Sequence, residues 1–238
     1  MGALLVRGMI AGLIASLLAF AFAKVIGEPH VDRAIAFEEA AHSHAHGGDG
    51  EPELVSREVQ ASTGLLAGVA LYGTALGGVF ALAYAFVSGR LLHLSPRSTA
   101  LVIAAIGFLA LYFVPYLKYP ANPPAVGQGE TIAYRTQLYF AMVIVSLLAL
   151  TIAVSFGRQV FEKFGGWNAS MLGIGTYLLL VSLAAFALPA INEVPETFPA
   201  DLLWNFRLAS LGTQFILWAA IGLLFGWLIA LDHERVAR

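Results

Sequence analysis

Apolar residues run through this chain in six long blocks, at about 4–26, 63–88, 99–117, 136–156, 169–190 and 208–230. Each block is continuous rather than alternating, and each is close to the ~20 residues a helix needs to cross ~30 Å of hydrocarbon. A continuous run has no two-residue period of a barrel strand, and inside lipid a helix satisfies its own backbone hydrogen bonds. The pattern predicts an all-α fold, a polytopic integral membrane helix bundle of about six transmembrane helices. Residues 1–238 form one transmembrane domain in this reading, interrupted by one long polar loop at 27–62. The first block also fits a cleavable signal, with Arg7 ahead of it and Ala21-Phe22-Ala23 near its end. A retained anchor is the expectation; cleavage would leave the other five blocks unchanged.

Composition agrees. Of 238 residues 59% are hydrophobic and 12% charged, about half the charge of an ordinary soluble chain. Basic residues in short loops set orientation. With the N-terminus in the cytoplasm, Arg7, Arg90, Arg97, Arg158, Lys163, Arg235 and Arg238 lie inside, seven of the thirteen basic residues. Twelve of the fifteen acids then lie outside. Acids set orientation poorly; on the basic residues and the acid-free inner loop LHLSPR, both termini are expected in the cytoplasm. The net charge of −2 and the lack of a basic run exclude a nucleic-acid face, so no nucleic acid is expected as a partner. With no cysteine there is neither a disulfide framework nor a thiolate metal site.

The loop at 27–62 concentrates the polar chemistry. It holds His30, Asp32, Glu38, Glu39, His42, His44, His46, Asp49, Glu51, Glu53 and Glu58, and so four of the six histidines. Imidazole binds Co²⁺, Ni²⁺, Cu²⁺ and Zn²⁺, and carboxylates complete their shells. His42-x-His44-x-His46 is too tightly spaced for one helical face, but in extended backbone alternate side chains share a side. Gly47, Gly48 and Gly50 let such a segment wrap an ion. The expected metal ligands are His42, His44 and His46, with Asp49, Glu38, Glu39 and His30 supplying further donors. The plainer reading is a solvated, low-complexity loop. His93 reads as an interfacial residue and His233 as part of the polar C-terminus.

The blocks themselves are nearly free of ionisable groups. No Asp, Glu, His, Lys or Arg occupies the middle of any of them, which argues against a buried-carboxylate antiporter and against a bis-histidine haem protein. No phosphate loop, G-x-S-x-G or H-E-x-x-H occurs. No enzyme activity and no resident cofactor are expected. Met9, Met142 and Met171 are soft donors in principle, but single methionines in apolar helices ordinarily pack. Gly64, Gly68, Gly73 and Gly77 in the second block predict close helix packing.

A repeat also suggests itself. Pro29, Pro115 and Pro189 stand at the outer ends of the odd blocks, and Arg57, Arg135 and Arg207 precede polar clusters at the outer ends of the even ones. These predict a threefold repeat of helix hairpins. The alternative is coincidence, since proline ends helices and arginine anchors interfaces. The arginines are expected to pair with acids such as Glu58, Glu130, Glu193 or Glu196.

Three stretches carry a resemblance: FVPYLKYPANPPAVG, TIAYRTQLY after it, and FPADLLWNFRLASLGTQFILWAAIGLLFGWL near the end. With the His/acid loop after the first block, they resemble the CbtA family, the larger membrane subunit of a predicted cobalt transporter. The resemblance implies Co²⁺ import across a bacterial inner membrane, an association with cobalamin biosynthesis, and a small single-span, His-bearing partner of the CbtB type. Co²⁺ or Ni²⁺ would be cargo. The competing class is a non-transporting membrane protein that binds metal outside, as a sensor, store or assembly partner.

Overall fold

A computed structural model describes residues 1–45, 55–90 and 94–236. Its long elements are all helices. α1 (Gly2–Phe22) passes through a π-helical turn, Ala23–Gly27, into α2 (Glu28–Ala45). The short α3 (Arg57–Val59) passes through a second π turn, Gln60–Gly64, into α4 (Leu65–Val87). α5 (Pro96–Gly107) continues through a third, Phe108–Phe113, into α6 (Val114–Lys118). α7 (Ile132–Ala187) and α8 (Ala200–Val236) complete the chain.

Five stretches are long and apolar enough to span a membrane: Gly2–Ala40, Arg57–Val87, Pro96–Lys118, Gly129–Ala187 and Ala200–Leu231. The six expected blocks are therefore not recovered as six separate helices, because blocks 136–156 and 169–190 share one stretch of 59 residues. A straight helix of that length would measure ~90 Å, about three times the hydrocarbon core. It is not straight. Gly165 breaks it at φ 74, ψ 165, a conformation open to glycine. Beyond the break the chain folds back on itself. A Cβ on Gly157 would sit 3.3 Å from the Ala169 carbonyl oxygen, and one on Gly173 would sit 3.2 Å from that of Ala153. Further along, the Ser146 and Tyr177 hydroxyls share a hydrogen bond of 2.8 Å. The arms 132–164 and 166–187 thus run antiparallel.

Two of the three flagged prolines do not end a helix. A proline lacks its N–H and its ring crowds the carbonyl four residues back. The π turns at Ala23–Gly27 and Phe108–Phe113 lie just before Pro29 and Pro115, where the extra residue per turn relieves that crowding. The helix then continues, to Ala45 in one case and Lys118 in the other. Pro189 behaves as expected: α7 stops at Ala187, two residues before it.

The chain forms two compact units, Met1–Phe108 with Asn122–Ala125 and Thr197–Arg238, and Leu109–Ala121 with Val126–Glu196. In the first unit α1 and α4 pack antiparallel with almost nothing between their backbones. Gly8 and Gly12 on α1 face Gly77 and Gly73 on α4, and a Cβ on any of these four would overlap the opposing helix. This is small-residue packing of the kind that lets membrane helices gain van der Waals contact. Gly64 and Gly68 do not take part. A Cβ on Gly68 would have nothing within 4 Å, and one on Gly64 would meet only the Val59 main chain of its own turn.

α8 supplies the rest of this core through Leu217, Trp218, Ile221 and Phe225, all at most 5% exposed. Phe225 meets Phe80 and Tyr84 edge-on at 5.3 and 5.0 Å between ring centroids. Trp218 fills the space that Gly107 of α5 leaves open. In the second unit the core is Met142, Ala149 and Val181, with Val114, Tyr177 and Leu180 against it. Met142 is therefore a packing residue, 1% exposed, whereas Met9 and Met171 lie on the surface.

Candidate functional site

The polar chemistry of the first unit gathers where α1 gives way to α2 and where α4 and α8 begin. Glu28 and Asp32 are four residues apart and so lie on one face of α2. Arg57, at the start of α3, fits between them. Its Nη2 donates to Glu28 Oε2 at 2.5 Å and to Asp32 Oδ1 at 2.9 Å, while Nε donates to the same Asp32 oxygen at 3.1 Å. Glu28 is nearly enclosed, its side chain 11% exposed, whereas that of Asp32 is 60% exposed. Charge-assisted bonds of this kind are short and strong. Phe37, two turns further along α2, meets Phe198 edge-on at 5.1 Å. At the first turns of α8, Arg207 Nη2 donates to Asn122 Oδ1 at 3.0 Å. This region is called the Arg57 end below.

A second polar knot ties together two loops of the other unit. Glu193 Oε2 accepts from the Gln128 backbone N–H and from Thr131 Oγ1, both at 2.9 Å, with Arg135 Nε at 3.5 Å. Arg135 Nη2 also donates to the Gln128 carbonyl oxygen at 3.2 Å. The guanidinium lies over Gly127, whose φ of +109 and lack of a side chain are both required there. Nearby, the Tyr119 hydroxyl donates to the Pro189 carbonyl oxygen at 2.8 Å.

The Gln128 amide, the Thr131 hydroxyl and Arg135 all favour the ionised carboxylate, and together they hold Glu193 below the ordinary carboxylate pKa. The folded value being the lower one, this contribution to stability is complete at neutral pH. It is lost as pH falls from the unfolded carboxylate value of about 4.3 through the lower folded value. Hydrogen exchange at the Gln128 amide should therefore accelerate in that acid window. In a Glu193→Gln variant the acceleration should be absent, and an identical acid response would refute the assignment.

The predicted metal ligands are distributed as follows. Glu38 and Glu39 lie on α2, as does His30, whose Nδ1 is buried without a hydrogen-bond partner. His42 and His44 belong to the same helix, which continues to Ala45. That corrects the expectation of extended backbone across 42–44. The sequence AFEEAAH is rich in good helix formers, and the glycines begin only at Gly47. His46 and Asp49 fall outside the described residues. Among the described residues no three His, Asp or Glu side chains converge to hold a metal ion. His93 also falls outside the described residues.

The three flagged arginines each find an oxygen partner, not always the expected one. Arg135 pairs with Glu193 as anticipated. Arg57 takes Glu28 and Asp32 instead of a nearby acid, and Arg207 bonds the amide of Asn122. Nothing in the sequence spacing pointed to Glu28, which is 29 residues from Arg57. A signal did exist for Asn122, Gly127 and Arg135, which all fall in the stretches PANPPAVG and TIAYRTQLY. Ala125, in the first of these, has φ 66, a left-handed conformation that costs a non-glycine residue about 1–2 kcal/mol.

One family matches nearly the whole chain, over residues 1–230: it is described as "Probable cobalt transporter subunit (CbtA)". No curated protein matches, and neither does any solved structure.

Proposed function

The chain belongs to the CbtA family of probable cobalt transporter subunits, and from that membership we propose that it is the large membrane subunit of a Co²⁺ uptake system. The family match across the membrane helices is the observation that carries this reading. In the proposed arrangement both termini lie in the cytoplasm of a bacterial inner membrane and the Arg57 end faces outward. The chain crosses six times if the two arms of α7 count separately. Seven basic residues on the inner side against six on the outer, with a short inner loop, LHLSPR, that carries no acid, support this orientation.

Capture takes place on the outward segment. Glu38, Glu39 and Asp49 supply a negative field there, and His42, His44 and His46, with His30 nearer the membrane, supply nitrogen donors. α2 continues from the first membrane helix and is tied at its base by Arg57, which supports a capture role for Glu38 and Glu39 on a helix anchored to the bundle. Completion of the transporter by a small single-span, His-bearing subunit is part of the proposal, because the family description is of a subunit. Nickel is an admissible second cargo, as imidazole and carboxylate ligands separate it poorly from cobalt.

The histidines are tested by replacing His42, His44 and His46 together with alanine. Half-maximal uptake should then require about tenfold more cobalt while the rate at saturation is retained. Loss of transport at saturating cobalt would place these residues in the translocation step instead.

A further inference from the structure

We propose that α2 and α3 form a single gate at the Arg57 end of the first unit, tilting together on the two π turns beneath them. The tilt follows from packing within that unit, while its place in transport rests on the transport reading.

The two turns stand side by side. Along the α1–α4 seam Gly8 faces Gly77 and Gly12 faces Gly73, so each step toward the end of α1 is a step toward the start of α4. Carried outward, that register sets Ala23–Gly27 opposite Gln60–Gly64, and Glu28 opposite Arg57. The ion pair is found at that place, with Arg57 Nη2 2.5 Å from Glu28 Oε2. Pro29 accounts for the first π turn, but no proline occurs between Glu53 and Ser95 to account for the second. Its matched position keeps α3 in step with α2, so that Arg57 still reaches Glu28 and Asp32. Isolated π turns are rare, recur at functional sites and are places where helices bend sharply.

Stiffness differs along this pair of helices. Below the turns, Gly8, Gly12, Gly73 and Gly77 bring the main chains of α1 and α4 together. Above them, Arg57 binds α2 to α3 through charge-assisted bonds. Between these two stiff parts the packing is loose. Among the described residues of the two turns Ala61 alone is buried, and a Cβ on Gly27 would have nothing within 4 Å. Segments with few buried contacts open most readily, and a few such residues suffice for a hinge.

α8 supplies the stop. It runs past the level of both turns without a π turn of its own, with Phe22 against Gly212 below them. Above them Phe37 of α2 meets Phe198, just ahead of α8. His30, Ala34 and Phe37 are spaced to share one face of α2. On that face Ala34 is fully buried, and His30 Nδ1 is buried without a hydrogen-bond partner among the described residues. An unpaired buried polar atom costs about 1–3 kcal/mol, a cost that tilting α2 away from α8 relieves. The position seen is thus the closed one, and opening exposes His30.

The chain has no cysteine, so pairs can be introduced cleanly. Spin labels on Glu39→Cys and Trp204→Cys report the distance from α2 to α8 in the full chain in lipid nanodiscs. Labels on Ile10→Cys and Leu223→Cys, on α1 and α8 below the turns, serve as control. Glu39 stands about 20 Å along the helix from the first π turn, so a tilt of about 15° shifts it by about 5 Å. The first pair should show a second distance longer by about that amount, and the control pair a single distance. One narrow distance in both pairs would overturn the gate. For its role, Phe37→Cys and Phe198→Cys joined by a short bis-thiosulfonate bridge hold α2 closed. The bridge should cut cellular cobalt uptake about tenfold, with recovery on reduction. Unchanged uptake with the bridge in place would remove the gating role. If the unbridged protein takes up no cobalt, the transport reading fails, and the distances still decide the tilt. All four labelled positions are exposed, so the distances also decide should the bridged variant fail to fold.

Discussion

Replacing Gly12 with valine is expected to prevent the first unit from assembling. A Cβ at this position overlaps the Gly73 carbonyl oxygen and comes within 2.9 Å of the Gly73 carbonyl carbon and 3.0 Å of Gly77 Cα. All three are main-chain atoms, so no side-chain rotation relieves the clash and the two helices must move apart. Separation also removes the contacts at Gly8–Gly77 and Ser16–Gly73, because all lie along one antiparallel seam. Membrane helices associate chiefly through such packing, and overpacking a filled contact costs about 1–3 kcal/mol even when the neighbours can shift. Here they cannot, so the loss should reach or exceed the top of that range. Gly68→Val on the open face is the matched control. Thermal unfolding in mild detergent should show Gly12→Val protein unfolded or aggregated, with Gly68→Val close to the parent. Equal behaviour of the two would contradict the packing described.

The second large effect is expected at Arg57. Removing it leaves Glu28, nearly enclosed, without its cation, and also frees Asp32. Hydrogen bonds to charged groups contribute about 1.5–3 kcal/mol each, and an enclosed charge left alone adds its own cost. Arg57→Ala should therefore detach the base of α2 from α3 while leaving the α1–α4 seam intact. Hydrogen exchange should rise across 28–40 and remain slow across 8–16. If α2 presents the capture segment, half-saturation by cobalt should rise as well. The charge-swapped pair Arg57→Glu with Glu28→Arg should recover part of the protection. Unchanged exchange across α2 in Arg57→Ala would show that the contact contributes nothing.

Hydropathy made the membrane segments legible because lipid contact demands long apolar runs whatever the helices do at their ends. The break at Gly165 was visible in the same way, as the polar gap between blocks 136–156 and 169–190. α2 was not legible. Its polar residues and Pro29 read as a loop, yet helix-forming Ala and Glu predominate up to Ala45, and a π turn lets the helix pass the proline. On α4 the glycine spacing was apparent, but spacing alone could not separate Gly73 and Gly77, which pack, from Gly64 and Gly68, which do not. That distinction depends on which face meets Gly8 and Gly12 of α1. The arginines at 57, 135 and 207 stood out in the sequence, whereas their partners at 28, 193 and 122 come from distant parts of the chain.

Cobalt accumulation tests the central claim most directly. The chain would be expressed with and without the small His-bearing subunit in a bacterial host stripped of its own cobalt and nickel uptake, and cellular cobalt measured by mass spectrometry at submicromolar supply. Accumulation above the empty-vector control in at least one arrangement is the predicted result, and the comparison shows whether the partner is required. No accumulation in either arrangement, with both proteins present in the membrane, would contradict the assignment of this chain to cobalt uptake.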